Sequence, residues 1–460
     1  MGAAIQMTST QHLLPVTGSR ILVVGLGLTG LSCARFLVKQ GYEVAITDSR
    51  ETPPALDELQ NDLPDVAVFL GGFDESAFQH AECLVVSPGI SIKHPLIAEA
   101  RSRAVPVLGD IEIFSMYATA PVVAITGSNG KSTVTTLLGE MAKRAGRNVG
   151  VGGNIGTPAL DLLNDETDLY VLELSSFQLE TTSNLQTRAS VILNISEDHM
   201  DRYDSLQEYM RAKARIFQNS DVIVVNQDDA NVMTLVENTV NSKSVVHFGL
   251  QIPAENNFGV VQQNDEAWLA LGTEALMPVA DVKISGWHNI ANALAALALG
   301  QACDLDMGAM LASLRAFPGL EHRTQWIAES GGVQWFNDSK ATNVGATIAA
   351  LEGLMANKVV LIAGGQGKGQ DFSMLRDAVS AHARCLILLG EDADKLENSL
   401  SGLVPTYRVT DMYAAIQKAS IVAQAGDAVL LSPACASFDM FKGFAHRGEV
   451  FAKLVREICQ

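Results

Sequence analysis

The stretch Val122–Leu138, VVAITGSNGKSTVTTLL, decides the reading of this 460-residue chain. Its apolar opening, Val122 to Ile125, predicts a buried strand. A glycine-rich turn follows, and a helix is expected to open at Lys131, Ser132 and Thr133. Backbone N–H groups in such a turn, with a helix N-terminus behind them, cradle a phosphate chain. On that reading Gly127, Ser128, Asn129 and Gly130 wrap the phosphates, Lys131 reaches the outer two, and the Ser132 hydroxyl holds Mg²⁺. The usual spacing is G-x-x-x-x-G-K-[ST]; here the first glycine is missing, so the match is to a variant. A plain strand-to-helix turn of an α/β domain is the alternative.

Upstream, a strand is predicted over 20–24, then Gly25-Leu-Gly27-Leu-Thr-Gly30, then a helix over 31–40. A second strand over 43–47 ends at Asp48. This is the G-x-G-x-x-G fingerprint with an acid near its expected place, but alone it does not choose among NAD, FAD and other nucleotides. Strands over 66–70, 83–86 (running into Ser87-Pro88-Gly89) and 107–108 complete a small nucleotide-binding unit ending near Asp110.

Downstream, residues 150–156 read as a loop of little side-chain bulk. Strands over 169–174, 190–195 and 222–225 are near-continuous apolar runs, as in a parallel sheet covered on both faces. Ligands gather at the carboxyl ends of such strands, where Glu173, His199 and Asp201 fall. Glu173 lies inside an apolar stretch and needs a partner: Mg²⁺, or an Arg or Lys. His199 alone is as compatible with a structural role.

A helix is predicted over 205–219, and Lys213 continues its apolar stripe. Desolvation lowers a buried lysine's pKa, and a neutral amine takes up CO₂ to form a carbamate, an anionic ligand for Mg²⁺. A stripe-edge lysine with its head in water is the other possibility.

Strands near 245–248 and 268–272 and a helix from His288 close this middle unit. Phe317-Pro318-Gly319-Leu320 reads as a linker. Beyond it come a strand into 335–340 and strands over 358–363, 385–389 and 428–432, with a closing helix over 446–458. The polar loops of this third unit (Asp338 to Lys340, Lys368, Ser437) again follow strands. The expected fold is therefore α/β in three domains: a Rossmann-like one (1–110), a central P-loop ATPase-type parallel sheet (111–318), and a C-terminal Rossmann-like one (319–460).

Composition bounds the partners. With 48% hydrophobic and 18% charged residues the chain reads as a folded soluble protein. No apolar run approaches the roughly 20 residues that span a bilayer, so no membrane insertion is expected. The N-terminal stretch 1–19 lacks a basic start and an apolar core and reads as a lead-in, not a secretory signal. A formal charge of −19 argues against nucleic acid as a partner. The six scattered cysteines read as reduced thiols of a cytoplasmic protein.

Taken together, TGSNGKST, ELSSFQLE, NISEDHMDRY, the lysine helix, WHNIANALAA, GLEHR, NDSKATN and SPACASFDMF occur in the order found in Mur ligases, and the chain resembles that family over nearly its whole length. ELSSFQLE, HMDRY and SPACASFD most resemble its D-glutamate-adding branch. The resemblance implies ATP-dependent amide formation between D-glutamate and UDP-N-acetylmuramoyl-L-alanine through an acyl phosphate, in peptidoglycan precursor synthesis.

It also implies residue roles. Leu28 and Thr29 would lie near the diphosphate, Asp48, Ser49 and Arg50 near the uracil, and Asn154 near the muramoyl part, with Ser87 also binding the substrate. Lys131, His199 and Lys213 would be catalytic, with Lys213 carbamylated. Ser132 and Glu173 would hold one Mg²⁺, and His199 with the Lys213 carbamate a second. Asn289 would meet adenine, Arg323 the ATP phosphates and Asp338 the ribose. Lys340, Thr342, Lys368, Ser437 and Phe444 would receive D-glutamate. A monomer acting on small molecules is expected. Competing readings are another Mur ligase or a folylpolyglutamate synthase, a nucleotide-sensing regulator, and an NAD-dependent enzyme.

Overall fold

The computed structural model describes residues 14–239, 244–284, 286–354 and 356–459. The lead-in expected over 1–19 lies, as far as residue 13, outside the described residues. Three sheets follow one another along the chain. The first joins β1 (Arg20–Val24), β2 (Glu43–Asp48), β3 (Ala67–Leu70), β4 (Cys83–Val86) and β5 (Val107–Leu108) in the order β3-β2-β1-β4-β5, all parallel.

The second sheet has nine strands: β6 (Val122–Thr126), β7 (Val149–Gly153), β8 (Leu169–Glu173), β9 (Thr187–Ile192), β10 (Ser220–Asn226), β11 (Ser244–Phe248), β12 (Phe258–Gln263), β13 (Glu266–Leu271) and β14 (Glu274–Pro278). Their order is β14-β13-β12-β11-β10-β9-β6-β8-β7. β6 is buried at all five positions, with Val122 and Ala124 in one apolar cluster and Val123 and Ile125 in another. A strand covered on both faces must be apolar at successive positions, which is why this run lacks alternation. The helices Lys131–Arg144 and Trp287–Ala302 cover the second face.

Three details differ from the sequence reading. Residues 149–153, expected within a bare loop from 150, are edge strand β7. Its glycines serve close approach: a Cβ on Gly153 (φ +100°) would stand 2.5 Å from the Glu173 carbonyl oxygen. The far edge of the sheet is antiparallel, because β12 and β13 turn through Asn264 and Asp265, both at positive φ, as a two-residue hairpin requires. The lysine helix is Leu206–Ala214, capped by Ser205, and tightens into a 3₁₀ turn over Arg215–Phe217, where the Arg215 guanidinium reaches the Leu179 and Thr182 carbonyls.

The third sheet joins β15 (Gln325–Ser330), β16 (Val333–Asn337), β17 (Val359–Ala363), β18 (Ala383–Leu388), β19 (Thr406–Arg408) and β20 (Ala428–Leu431) in the order β15-β16-β20-β17-β18-β19. Only the β15–β16 pair is antiparallel. The closing helix is Phe444–Ile458. No helix among the described residues is long and apolar enough to cross a membrane, and all six cysteines are free.

Candidate active site

Strand β6 delivers the chain into the turn Gly127–Gly130 and then the helix Lys131–Arg144. Gly130 caps that helix at φ +83°, and a Cβ there would stand 2.4 Å from Asn292 Oδ1, so glycine is required twice over. The turn is laced to the segment after β9. Ser128 Oγ donates to the Ser196 carbonyl (2.9 Å), and the Asn129 amide donates to Asn194 Oδ1 (2.8 Å). Lys131 folds back, its ammonium 2.9 Å from the carbonyl oxygens of both Gly127 and Ser128.

Glu173 ends β8, beside β6, and is buried. Asn154 donates to its Oε1 at 2.7 Å, whereas Oε2 is buried with no partner. Lys213 is 1% exposed, which removes the alternative of a stripe-edge lysine with its head in water. Its ammonium donates to Gly127 O (2.9 Å) and Thr126 Oγ1 (3.2 Å). Burial, helped by the Lys131 charge, pushes its pKa well below the ordinary lysine value, against the pull of Asp198 and Glu173.

His199 stands in the left-handed region (φ +59°) on the irregular segment after β9. Burial lowers its pKa; Asp198 opposes this, and the charges of Lys131, Lys213 and Lys368 reinforce it. Of these, Lys131 and Lys213 meet at the Gly127 carbonyl.

Beside the turn lies a cavity of about 360 Å³ lined by Asn129, Thr133, Asn289, Arg323, Asp338 and Lys340, among others. Arg323 crosses from the third domain to donate to Ser132 Oγ at 2.7 Å. Asp338 accepts from the Thr324 amide (3.0 Å) and Ser432 Oγ (2.9 Å), and burial raises its pKa to about 7 despite them. Asn292 donates to Asn289 Oδ1 (3.1 Å).

The remaining residues named from the sequence divide between two places. Leu28, Thr29, Arg50, Ser87 and Asn154 line a separate cavity of about 270 Å³ over the first sheet. Asp48 and Ser49 do not line it. Asp48 instead holds the glycine-rich turn, accepting from the Leu26 amide (2.7 Å) and pairing with Arg50 (2.7 Å). Its burial favours the neutral acid, but Arg50 and the two amides prevail and hold it at about 2. Asn154 touches both places, which joins this cavity to Glu173.

In the third domain, the Lys340 ammonium sits 3.8 Å over the Phe444 ring, and burial lowers its pKa to about 8. Thr342, Lys368, Ser437 and Phe444 stand outside the 360 Å³ cavity; Lys368 is exposed and Ser437 buried.

Three contributors escaped the sequence reading. Asn343 donates to Asn129 Oδ1 (3.2 Å), tying the third domain to the phosphate turn; it lies inside NDSKATN, where an Asn before a helix signals a cap. Gln178 lines the first-domain cavity. Buried Arg447 donates to the Ser339 hydroxyl (2.9 Å) and to the Ser339 (2.8 Å) and Cys435 (3.1 Å) carbonyls, fastening together the loops that carry Lys340 and Ser437.

Among the described residues no group of three His, Cys, Asp or Glu forms a metal cage. The orphaned Glu173 oxygen still suits Mg²⁺, which takes one or two carboxylates and completes its shell with water and substrate phosphates. A turn for phosphates, an unpaired carboxylate oxygen and several converging cations can hold a nucleotide triphosphate against a second anion.

Comparisons with known proteins agree. Three family models match: Mur ligase MurD-like, N-terminal domain over residues 19–109, Mur ligase middle domain over 125–300, and Mur ligase, glutamate ligase domain over 322–435. The UDP-N-acetylmuramoylalanine–D-glutamate ligase of Nitrosococcus oceani is 52% identical over 450 residues, covering 97% of this chain and 99% of its own. That of Pseudomonas syringae pv. syringae is 54% identical over 437 residues, covering 94% and 97%. Two solved structures share the fold. MurF from Acinetobacter baumannii has a TM-score of 0.61 at 18% identity, covering 96% of this chain and 91% of its own. UDP-N-acetylmuramate-alanine ligase MurC from Thermotoga maritima has a TM-score of 0.60 at 19% identity, covering 95% and 99%.

Proposed function

The chain belongs to the Mur ligase family, and from that premise we propose that it joins D-glutamate to the alanyl carboxyl of UDP-N-acetylmuramoyl-L-alanine, driven by ATP, in peptidoglycan precursor synthesis. Its units are the UDP-substrate domain (1–110), the central ATP domain (111–318) and the C-terminal domain for the amino acid (319–460). It works as a monomer in the cytoplasm.

The alanyl carboxylate attacks the γ-phosphate of ATP, giving an acyl phosphate and ADP. The D-glutamate amine then attacks the acyl carbon, and phosphate leaves the tetrahedral intermediate. The first step brings two anions together, so positive charge at the turn is what the chain must supply. Gly127 to Thr133 bind the phosphate chain, with Lys131 swinging from its carbonyl contacts onto the outer phosphates. Arg323 supports the same phosphates, Asn289 meets adenine and Asp338 the ribose, all around the 360 Å³ cavity.

Ser132 and Glu173 would hold one Mg²⁺, and His199 with a Lys213 carbamate would hold a second; such ions would supply charge neutralisation at the phosphates. Burial lowers the His199 pKa and so favours the neutral imidazole, the form that ligates a metal or accepts a proton. Leu28 and Thr29 hold the diphosphate, with Asp48, Ser49 and Arg50 at the uracil side, and Ser87 also binds the substrate. Asn154 leads the muramoyl arm to Glu173. Lys340, Thr342, Lys368, Ser437 and Phe444 receive D-glutamate.

One observation carries this reading: Asn154 belongs both to the first-domain cavity and to the carboxylate beside the phosphate turn. The test is Lys131→Ala. Turnover should disappear while UDP-N-acetylmuramoyl-L-alanine still binds; unchanged turnover removes the phosphate-turn assignment.

A further inference from the structure

We propose that Arg202 is a positioning residue that couples occupancy of the first-domain cavity to the placement of His199, a role that rests on assigning that cavity to the UDP-substrate. Arg202 stands three residues after His199, and its amide donates to the His199 carbonyl at 2.9 Å. Its guanidinium crosses to the first domain. There it donates to the carbonyls of Pro88 (3.4 Å), Gly89 (3.3 Å) and Ile90 (2.7 Å). These three residues, with Ser87, form one wall of the 270 Å³ cavity. Ser87 in turn donates to the Gly25 carbonyl (2.8 Å), so the wall is tied to the glycine-rich turn that meets the ligand.

The same guanidinium lies 4.3 Å over the Phe177 ring. Phe177 meets the His199 ring edge-on at 4.9 Å and stacks on Tyr203 at 5.9 Å. Phe177 also belongs to the short helix Ser176–Glu180, which follows directly on Glu173 and carries Gln178 into the cavity. One cation thus touches the cavity wall on one side and the aromatic support of His199 on the other.

Two features make this more than a strap between domains. First, His199 holds a left-handed backbone, uncommon for a residue with a side chain and maintained at a cost by its surroundings. Second, the acceptors on the first domain are backbone carbonyls of the wall itself, so their directions change with the wall. A planar guanidinium with a fixed fork of donors reads three such directions at once; an ammonium does not. A ligand that orders the wall therefore orders Arg202, Phe177 and the segment 197–205. By reciprocity, a correctly placed His199 tightens the wall around the UDP-substrate.

A second contact across the same seam serves as the control. Lys93 bridges to Asp204 and Glu208, each at 2.9 Å, but is itself exposed and does not pair with Phe177.

The experiment is amide hydrogen exchange of the full chain with and without UDP-N-acetylmuramoyl-L-alanine, in the absence of ATP and Mg²⁺. It compares wild type, Arg202→Met, Arg202→Lys and Lys93→Ala, with binding measured separately by calorimetry. The wild type and Lys93→Ala should show slower exchange over 197–205 on binding. Arg202→Met should still bind, within about threefold, yet lose that protection, and its kcat should fall at least about tenfold with the KM for D-glutamate unchanged. Arg202→Lys should recover little of either. Retained protection and kcat in Arg202→Met overturn the coupling. So does wild-type binding without protection at 197–205. Failure of the wild type to bind the UDP-substrate overturns the cavity assignment itself.

Discussion

Lys131 and Lys213 donate to the same carbonyl oxygen, that of Gly127, each at 2.9 Å. Two ammonium groups on one neutral acceptor repel each other, and the more buried one, Lys213, gives way first. Its neutral amine is the form that takes up CO₂. In ¹³C-bicarbonate the wild type should show a carbamate carbon resonance that Lys213→Arg lacks. The same variant should lose roughly a hundredfold or more in turnover. A resonance that persists in Lys213→Arg would remove Lys213 as the site.

Glu173→Gln keeps the shape of the side chain and the Asn154 contact but removes a buried charge whose Oε2 has no partner. Without Mg²⁺ the variant should melt at the same temperature or higher, since an unpaired buried carboxylate costs stability. Its Mg²⁺ requirement for turnover should rise steeply. Melting curves and a Mg²⁺ titration check both arms.

The Asp48 carboxyl, held at about 2 against an ordinary 3.8, gives a pH signature. A lowered carboxyl pKa means that the unfolded chain binds the proton more readily. The stabilisation is therefore present above pH 4 and is lost as pH falls from about 4 to 2. Asp48→Asn should cost on the order of 2 kcal/mol at pH 7, and the difference should close near pH 2 in denaturant melts.

Much of this was legible in the chain. The phosphate turn, the apolar runs of β6, β8 and β10 and the stripe leading to Lys213 all follow local rules, because each strand or helix must hide its apolar side. What was hidden depends on neighbours. Gly150, Gly152 and Gly153 look like loop until Tyr170, the Thr157 carbonyl and the Glu173 carbonyl, respectively, press against them and leave no space for a Cβ. Nothing local in the sequence shows that the Leu26 amide and Arg50 hold the Asp48 carboxylate in place. Arg447 is an unremarkable helical arginine in sequence; only the fold brings the carbonyls of Ser339 and Cys435 to it.

Asn343 caps the helix Val344–Gly353 through the Ala346 amide (2.8 Å) and reaches Asn129 across the domains. Asn343→Ala should lose about 1 kcal/mol from the missing cap and raise the KM for ATP. Asn343→Asp, which keeps the cap acceptor but loses the amide donor, should recover the stability and not the KM. Chemical denaturation and ATP titrations separate the two.

The most direct measurement is phosphate release from ATP with Mg²⁺ and UDP-N-acetylmuramoyl-L-alanine, run with D-glutamate, L-glutamate, L-lysine or no amino acid. Release that depends on D-glutamate alone is the predicted result. Release supported by a different amino acid, or indifferent to all of them, contradicts the assignment of Lys340, Ser437 and Phe444 to a D-glutamate site.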